Sequence, residues 1–322
     1  MQKATRIVLP LASLALSSCT ISLGGTSSSS SSLSSSSLSS SSTSSSLSSS
    51  VEDSSSKTVS SSSGVVSSFA PAGYHLTWQD EFDGETLDET KWEAQLGNGN
   101  AYGISGWGNG EKECYQKENA LVSGGKLNLL AKRETASEGD ARFDYTSARI
   151  RTAGKAFWTY GYFEAKMSLP TVTGMWPAFW MLPEAKYNGY GWPTNGEIDV
   201  MEAKGRLSQE ISSTTHSANA SLADVYHTKS TAVSSIGEDH VYAVLWEKGS
   251  LSFFVDGVSF FKVDESTYQN DYPSYTDGAP FNADFHLILN LAVGGQFDEG
   301  RLPPSDWKES AMSVDYVRVY QK

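Results

Sequence analysis

Tyr162-Phe163-Glu164-Ala165-Lys166-Met167-Ser168-Leu169 alternates strictly. Phe163, Ala165, Met167 and Leu169 fall on one side of an extended chain, and Tyr162, Glu164, Lys166 and Ser168 on the other. A period of two is the mark of a strand with one face in a core. The pattern recurs on both sides of this stretch. In Lys126–Lys132, Leu127, Leu129 and Ala131 share a face; Val241, Ala243 and Leu245 oppose Tyr242, Val244 and Trp246. Leu251, Phe253 and Val255 repeat it before Asp256-Gly257, which reads as a tight hairpin turn because Gly tolerates positive φ. A last strand is expected over Val314–Tyr320. Long helical periodicity is absent, and Gly, Pro and Asn punctuate the short strands. The sequence therefore predicts an all-β domain, an antiparallel sandwich or barrel. Trp176, Trp180, Trp192 and Trp246 are expected to line a groove as well as a core.

The strands begin near Phe69. Between Thr26 and Ser68 the chain is overwhelmingly serine. Such a segment buries too little apolar surface to offset the entropy of ordering, so residues 19–68 are expected to be a flexible tether. Before it, Lys3 and Arg6 precede an apolar run from Ile7 to Leu16, too short for a stable membrane span. The run ends in Leu16-Ser17-Ser18-Cys19, which resembles a bacterial lipoprotein box. That resemblance implies a signal peptide over 1–18, a lipid on Cys19, and attachment to a bacterial cell envelope. An ordinary secretory signal cut near Ser18 is the alternative. The chain has two cysteines. With Cys19 lipidated, Cys114 has no partner, and no disulfide is expected. Residues 69–322 form one domain in this reading.

The net charge is −13, and Lys3, Arg6 and Lys57 against Glu52 and Asp53 leave −14 on the folded part. Nucleic acid and anionic lipid are poor partners for such a surface, whereas a neutral polymer is compatible with it.

Gly196-Glu197-Ile198-Asp199-Val200-Met201-Glu202 sets three carboxylates in a stretch that otherwise reads as a strand. Glu197 and Asp199 share a face; strict alternation turns Glu202 away, and one extra residue in a β-bulge brings it back. The two glutamates then lie ~13 Å apart at Cα, close enough for their side chains to lean to about 5–5.5 Å, the spacing of retaining glycosidases. Like charges on one face cannot all ionise freely, so a proton is held near neutral pH. Glu197 suits the nucleophile, Glu202 the general acid/base, and Asp199 the group that orients Glu197. Trp176-Pro177-Ala178-Phe179-Trp180 and Trp192-Pro193 lie close by in sequence. Aromatic faces beside paired carboxylates fit a sugar cleft. A solvated acidic strand is the bland alternative.

The chain resembles glycoside hydrolase family sixteen, in its laminarinase-type members. The resemblance rests on Trp78-Gln79-Asp80-Glu81-Phe82-Asp83-Gly84, Gly106-Trp107-Gly108-Asn109, Tyr145-Thr146-Ser147-Ala148-Arg149-Ile150, Gly196–Glu202, Leu289–Gly295 and Val314–Tyr320. It implies a jelly-roll β-sandwich, concanavalin A-like, of two antiparallel sheets with a substrate cleft on the concave sheet. The implied activity is retaining endo-hydrolysis of β-1,3-glucan by Glu197, Asp199 and Glu202, by a monomer without a catalytic cofactor. The resemblance also places Trp107, Asn109, Arg149, Trp176, Trp180, Trp192, His216 and Gln296 in the cleft. A structural Ca2+ is implied at backbone oxygens near Glu81 and Gly125 and at Asp315. One departure stands out: Gly110 replaces a second Asn after Asn109, removing a sugar contact. Alternatives are mixed-linkage β-1,3-1,4-glucan, agar or carrageenan as substrate, a non-catalytic glucan-binding module, and a structural envelope lipoprotein.

Overall fold

The strand expected at Tyr162–Leu169 forms as Gly161–Ser168, with Phe163, Ala165 and Met167 buried in the main core. Phe163 and Met167 each contribute about 1.5–3 kcal/mol by leaving water, and the single methyl of Ala165 less. This is a computed structural model, and it describes residues 69–322 and the backbone of Thr20 and Ile21. The expectations for a signal peptide, for Cys19 and for the serine tether lie outside the described residues, except that Thr20–Ile21 pairs antiparallel with Ala136–Glu138.

Gly161–Ser168 belongs to a ten-stranded sheet, between His240–Glu247 and Glu309–Gln321. Leu127, Leu129 and Ala131 are fully buried in the same sheet, as their alternation requires. The Asp256-Gly257 turn has φ of 49° and 77°, the left-handed pair that closes a two-residue hairpin between Val255 and Val258.

A seven-stranded antiparallel sheet packs against this one. In chain order its strands are β1 (Glu93–Ala94), β2 (Arg149–Arg151), β3 (Met175–Pro183), β4 (Glu197–Glu202), β5 (Glu210–Ala218), β6 (Asp224–Ala232) and β7 (Phe285–Val293). Their order across the sheet is β6-β5-β4-β3-β7-β2-β1. Phe179, Met181, Ile198, Leu287, Leu289 and Leu291 join the residues of the ten-stranded sheet in one core. The result is the jelly-roll β-sandwich that the sequence led us to expect.

Three features differ from expectation. Trp246 does not face a groove: it is fully buried in the core, and its Nε1 donates to the Phe281 carbonyl at 3.1 Å. Tyr162 and Glu164, on the supposedly open side of their strand, are also buried. The segment leading into the first strand explains this, because Ala70, Tyr74 and Leu76 pack over Tyr162, Ala243 and Tyr320. Cys114 is disulfide-bonded and fully buried, where a lone thiol was expected; its partner lies outside the described residues. The expectation failed because it reserved the only other cysteine for a lipid.

The residues implied for calcium meet where two strands run end to end along Glu309–Gln321. His75–Asp80 pairs with its last residues and ends opposite Val317, whereas Lys126–Lys132 pairs up to Val314. Glu81, Gly125 and Asp315 flank the gap between them. Both side-chain carboxylates are already neutralised: Glu81 holds Arg318 through two bonds of 2.7 and 2.8 Å, and Asp315 holds Lys166 at 2.8 Å. The donor set fits a hard cation only if Asp315 turns from Lys166 toward the gap. A larger hollow of about 310 Å³ opens alongside, at Gln79–Gly84. Its Asp80 is committed to Trp92 Nε1 at 2.8 Å and to Lys91 at 3.4 Å.

Candidate active site

The outer face of the seven-stranded sheet is built by the residues that alternate away from the core. On β7 these include His286 and Asn290, on β3 Trp176, Ala178 and Trp180, on β2 Arg149 and Arg151. On β4 they are Glu197, Asp199 and Glu202, and the register shows how. Glu197 pairs with His216, Ile198 with Thr215 and Asp199 with Thr214, whereas Glu202 pairs with Ser212. Three residues on β4 thus span two on β5. The same irregularity appears against β3, where Asp199 faces Trp180 and Met201 faces Phe179. Val200 is the extra residue, and it is buried with Ile198 and Met201. A bulge therefore swings Glu202 onto the face of Glu197 and Asp199, and all three line one pocket with Trp176, Trp180 and Arg149.

Each carboxylate has a distinct setting. Trp176 Nε1 donates to Glu202 Oε1 at 2.9 Å. His216 Nε2 lies 3.3 Å from Asp199 Oδ2, and its Nδ1 lies 3.0 Å from Asp224 Oδ1. Burial opposes charge on His216, but the bond to Asp199 and the nearby Glu197 and Asp224 outweigh it and raise the imidazole to about 10. His216 is thus a cation facing the acidic cluster. Burial first, then the Asp199 charge, raises Glu202 to about 8, even though the Trp176 N–H and the His216 and Lys204 cations favour its ionised form. Glu197 is pushed well above the ordinary carboxylate range by burial and by Asp199, with His216 pulling the other way. The proton affinities of Glu197 and Glu202 are tied together through the Asp199 charge that raises both.

Glu197, Asp199 and His216 also place possible ligand atoms within 4.8 Å of one another. The chemistry of the set argues against a metal ion. An imidazole held at both nitrogens by carboxylates is protonated at both and has no lone pair to give.

On the side toward β1, the guanidinium of Arg149 lies between two indoles, 4.3 Å from the Trp107 ring centre and 4.7 Å from that of Trp180. Its Nε donates to Gln95 Oε1 at 2.7 Å. Trp180 Nε1 donates to Asn290 Oδ1 at 2.8 Å, and Asn290 in turn donates to Tyr115 Oη at 3.1 Å. Tyr115 donates to Glu111 Oε2 at 2.9 Å, and Asn109 to Glu111 Oε1 at 3.2 Å. Asn109, Arg149, Trp176 and Trp180 line the same pocket as the three carboxylates. Trp107 is buried behind Arg149, with the guanidinium over its ring. Gln296 is exposed at the rim, its backbone N–H bonded to the Asn109 carbonyl at 2.8 Å. Trp192 is exposed in the loop between β3 and β4, 6.0 Å from the His216 ring. Gly110 has a φ of 71°, which disfavours a side chain there, and a β-carbon at that position would stand 3.9 Å from the Gln296 side chain.

Reading the sequence missed Glu111, Asn290 and Tyr226. Asn290 was detectable, as a single amide in the otherwise apolar Leu287–Val293 run. Tyr226 pairs with His216 across β5 and β6 and is 59% exposed, which no local pattern announces.

Comparison with known proteins adds the lineage. Residues 74–322 match the family model described as Beta-porphyranase A-D, GH16 domain. The chain is 40% identical to glucan endo-1,3-beta-glucosidase A1 of Niallia circulans, over 81% of this chain but only 40% of that protein's length. It is 38% identical to a beta-glucanase of Rhodothermus marinus, over 77% of this chain and 85% of the relative. Among solved structures it resembles the laminarinase catalytic domain of Thermotoga maritima, with a TM-score of 0.69, 34% identity, and coverage of 77% of this chain and 98% of that one. A fold, an acidic bulged strand and a sequence match that agree over the same residues place this chain in the GH16 glycoside hydrolase family.

Proposed function

We propose that the domain hydrolyses internal β-1,3 linkages of laminarin-like glucans with retention of anomeric configuration. The bulge that sets Glu197, Asp199 and Glu202 on one face, between Trp176 and His216, carries this reading. Glu197 Oε attacks the anomeric carbon while Glu202 gives its proton to the departing glycosidic oxygen, leaving a glycosyl ester on Glu197. Glu202, now ionised, takes a proton from water as the water oxygen attacks the same carbon, and Glu197 leaves as a carboxylate. Asp199 raises the Glu197 carboxyl, and the His216 cation favours the ionised forms of both glutamates, the form in which Glu197 attacks. A Glu202 raised to about 8 is still protonated at neutral pH, as an acid must be.

The experiment is reducing-sugar release by the protein from laminarin, lichenan, agarose, carrageenan and porphyran in parallel. The reading requires laminarin to be the best substrate. The family model's description names porphyran, so preferred release from porphyran or agarose would reassign the substrate while leaving the chemistry intact. Binding to laminarin with no release from any polymer would make the domain a glucan-binding module, such as the relative described as a beta-1,3-glucan-binding protein in Penaeus monodon.

For the N-terminal segment we propose cleavage before Cys19 and a lipid on its thiol, with secretion as the alternative. Leu16-Ser17-Ser18-Cys19 supports it. The disulfide at Cys114 opposes it, because Cys19 is the only other cysteine. Intact mass of the mature protein decides between acyl chains and a disulfide. A structural calcium at Glu81, Gly125 and Asp315 completes the reading, supported by the strand register that gathers them.

A further inference from the structure

Trp176, whose N–H holds Glu202, is itself held. On one side its ring lies against Gly295, where a β-carbon would approach Trp176 Cζ3 to 2.9 Å. Its face stacks on Phe297, with ring centres 4.9 Å apart and planes 22° from parallel. The ammonium of Lys204 sits 4.6 Å from the Phe297 ring centre. Lys204 follows Glu202 by two residues, so the stack loops back to the strand it started from. Arg206, two residues further on, bonds the fully buried Asp298 at 2.6 Å and fastens the Gln296–Asp298 turn to the same loop. Among the described residues no carboxylate lies within ion-pair distance of Lys204; its charge acts on the Phe297 ring, on Glu202 and on the exposed Glu299.

We propose that Phe297 and Lys204 are positioning residues that act through Trp176 to keep the Glu202 carboxyl aimed at the leaving-group oxygen. This rests on the reading of Glu202 as acid/base. A tryptophan free to rotate would release the carboxyl that it orients, and an ammonium spread over an aromatic face stiffens the stack where a flexible loop would not. Around Glu202 the charged groups are Asp199 and Glu197 on its own strand, His216 on β5 and Lys204 on the following loop; β3 contributes the neutral Trp176.

The test compares Phe297→Leu and Lys204→Met with the parent on two substrates: laminarin, whose sugar leaving group needs a proton, and a dinitrophenyl β-glycoside, whose leaving group does not. For Phe297→Leu we expect kcat/KM on laminarin to fall about tenfold and kcat/KM on the aryl glycoside to fall less than about twofold. For Lys204→Met we expect the alkaline limb of the laminarin kcat/KM profile to move up by about half a pH unit, since a cation favouring the ionised carboxyl is gone. Equal losses on both substrates, or an unmoved alkaline limb, would overturn the proposal. A raised KM on laminarin with an unmoved limb would make Lys204 a substrate contact instead. Azide rescue of Glu202→Ala on the aryl glycoside tests the underlying reading separately: without rescue the acid/base assignment falls, whatever the stack does.

Discussion

Two strands of this domain carry the same backbone device with opposite electrostatic results. In β4 the extra residue, Val200, turns three carboxylates to one face, where burial and the Asp199 charge raise Glu197 and Glu202. In Glu309–Gln321 the extra residue is Asp315 itself, opposite Lys166 and Met167 of the neighbouring strand, and it meets the Lys166 ammonium at 2.8 Å. One bulge concentrates like charge in a cleft, and the other neutralises opposite charge near the surface. A bulge therefore does not by itself mark a functional site. What marks it is a set of groups left in a state that costs stability and that a substrate or proton can relieve.

The sharpest way to break the comparison is Glu197→Gln. We expect kcat/KM on laminarin to fall at least about 10⁴-fold with an unchanged circular dichroism spectrum. Turnover within tenfold of the parent would show that the β4 cluster is only structural. His216→Asn removes the cation that favours both ionised glutamates, so the acid limb of the rate profile should rise and kcat fall about 10- to 100-fold. An unshifted acid limb would leave His216 without an electrostatic part.

The stability profile gives a middle-sized effect. Glu202 titrates near 4.5 when unfolded and about 8 when folded, and His216 near 6.5 and about 10. Between each pair of values the native state holds the extra proton, so stability falls as pH rises through both windows. Melting temperature should decline from pH 5 to 10, and Glu202→Gln should flatten the part below pH 8. A decline of equal slope in the variant would contradict the assignment. The smallest effect belongs to the other bulge. Lys166→Met should cost about 0.2–1 kcal/mol of unfolding free energy, as part-exposed pairs do, with kcat unaltered. It also frees Asp315, so added calcium should raise the melting temperature of this variant more than that of the parent. No calcium response in either protein would remove the ion from the reading.

Most of this was legible in the sequence, for physical reasons. The period of two in Tyr162–Leu169 names a strand because side chains alternate in an extended chain, and Glu197, Asp199 and Glu202 demand a bulge if they are to act together. Three points were hidden. Tyr162 and Glu164 look solvated by pattern, and only the long-range arrival of Ala70, Tyr74 and Leu76 buries them. Trp107 reads like a sugar platform until Arg149 is seen to occupy its face. The stack of Lys204, Phe297 and Trp176 joins residues from three separate segments, and sequence spacing carries no information about such a meeting.

At the β6 edge the groove floor ends in a free strand rather than in a barrier. Among the described residues β6 pairs on one side only, and Tyr226 and Trp192 stand 59% and 54% exposed there. A long polymer can settle onto such a floor broadside, without presenting an end to be threaded. Under the proposed reading cuts would then fall inside the polymer, and a laminarin solution should lose its viscosity before short oligosaccharides accumulate.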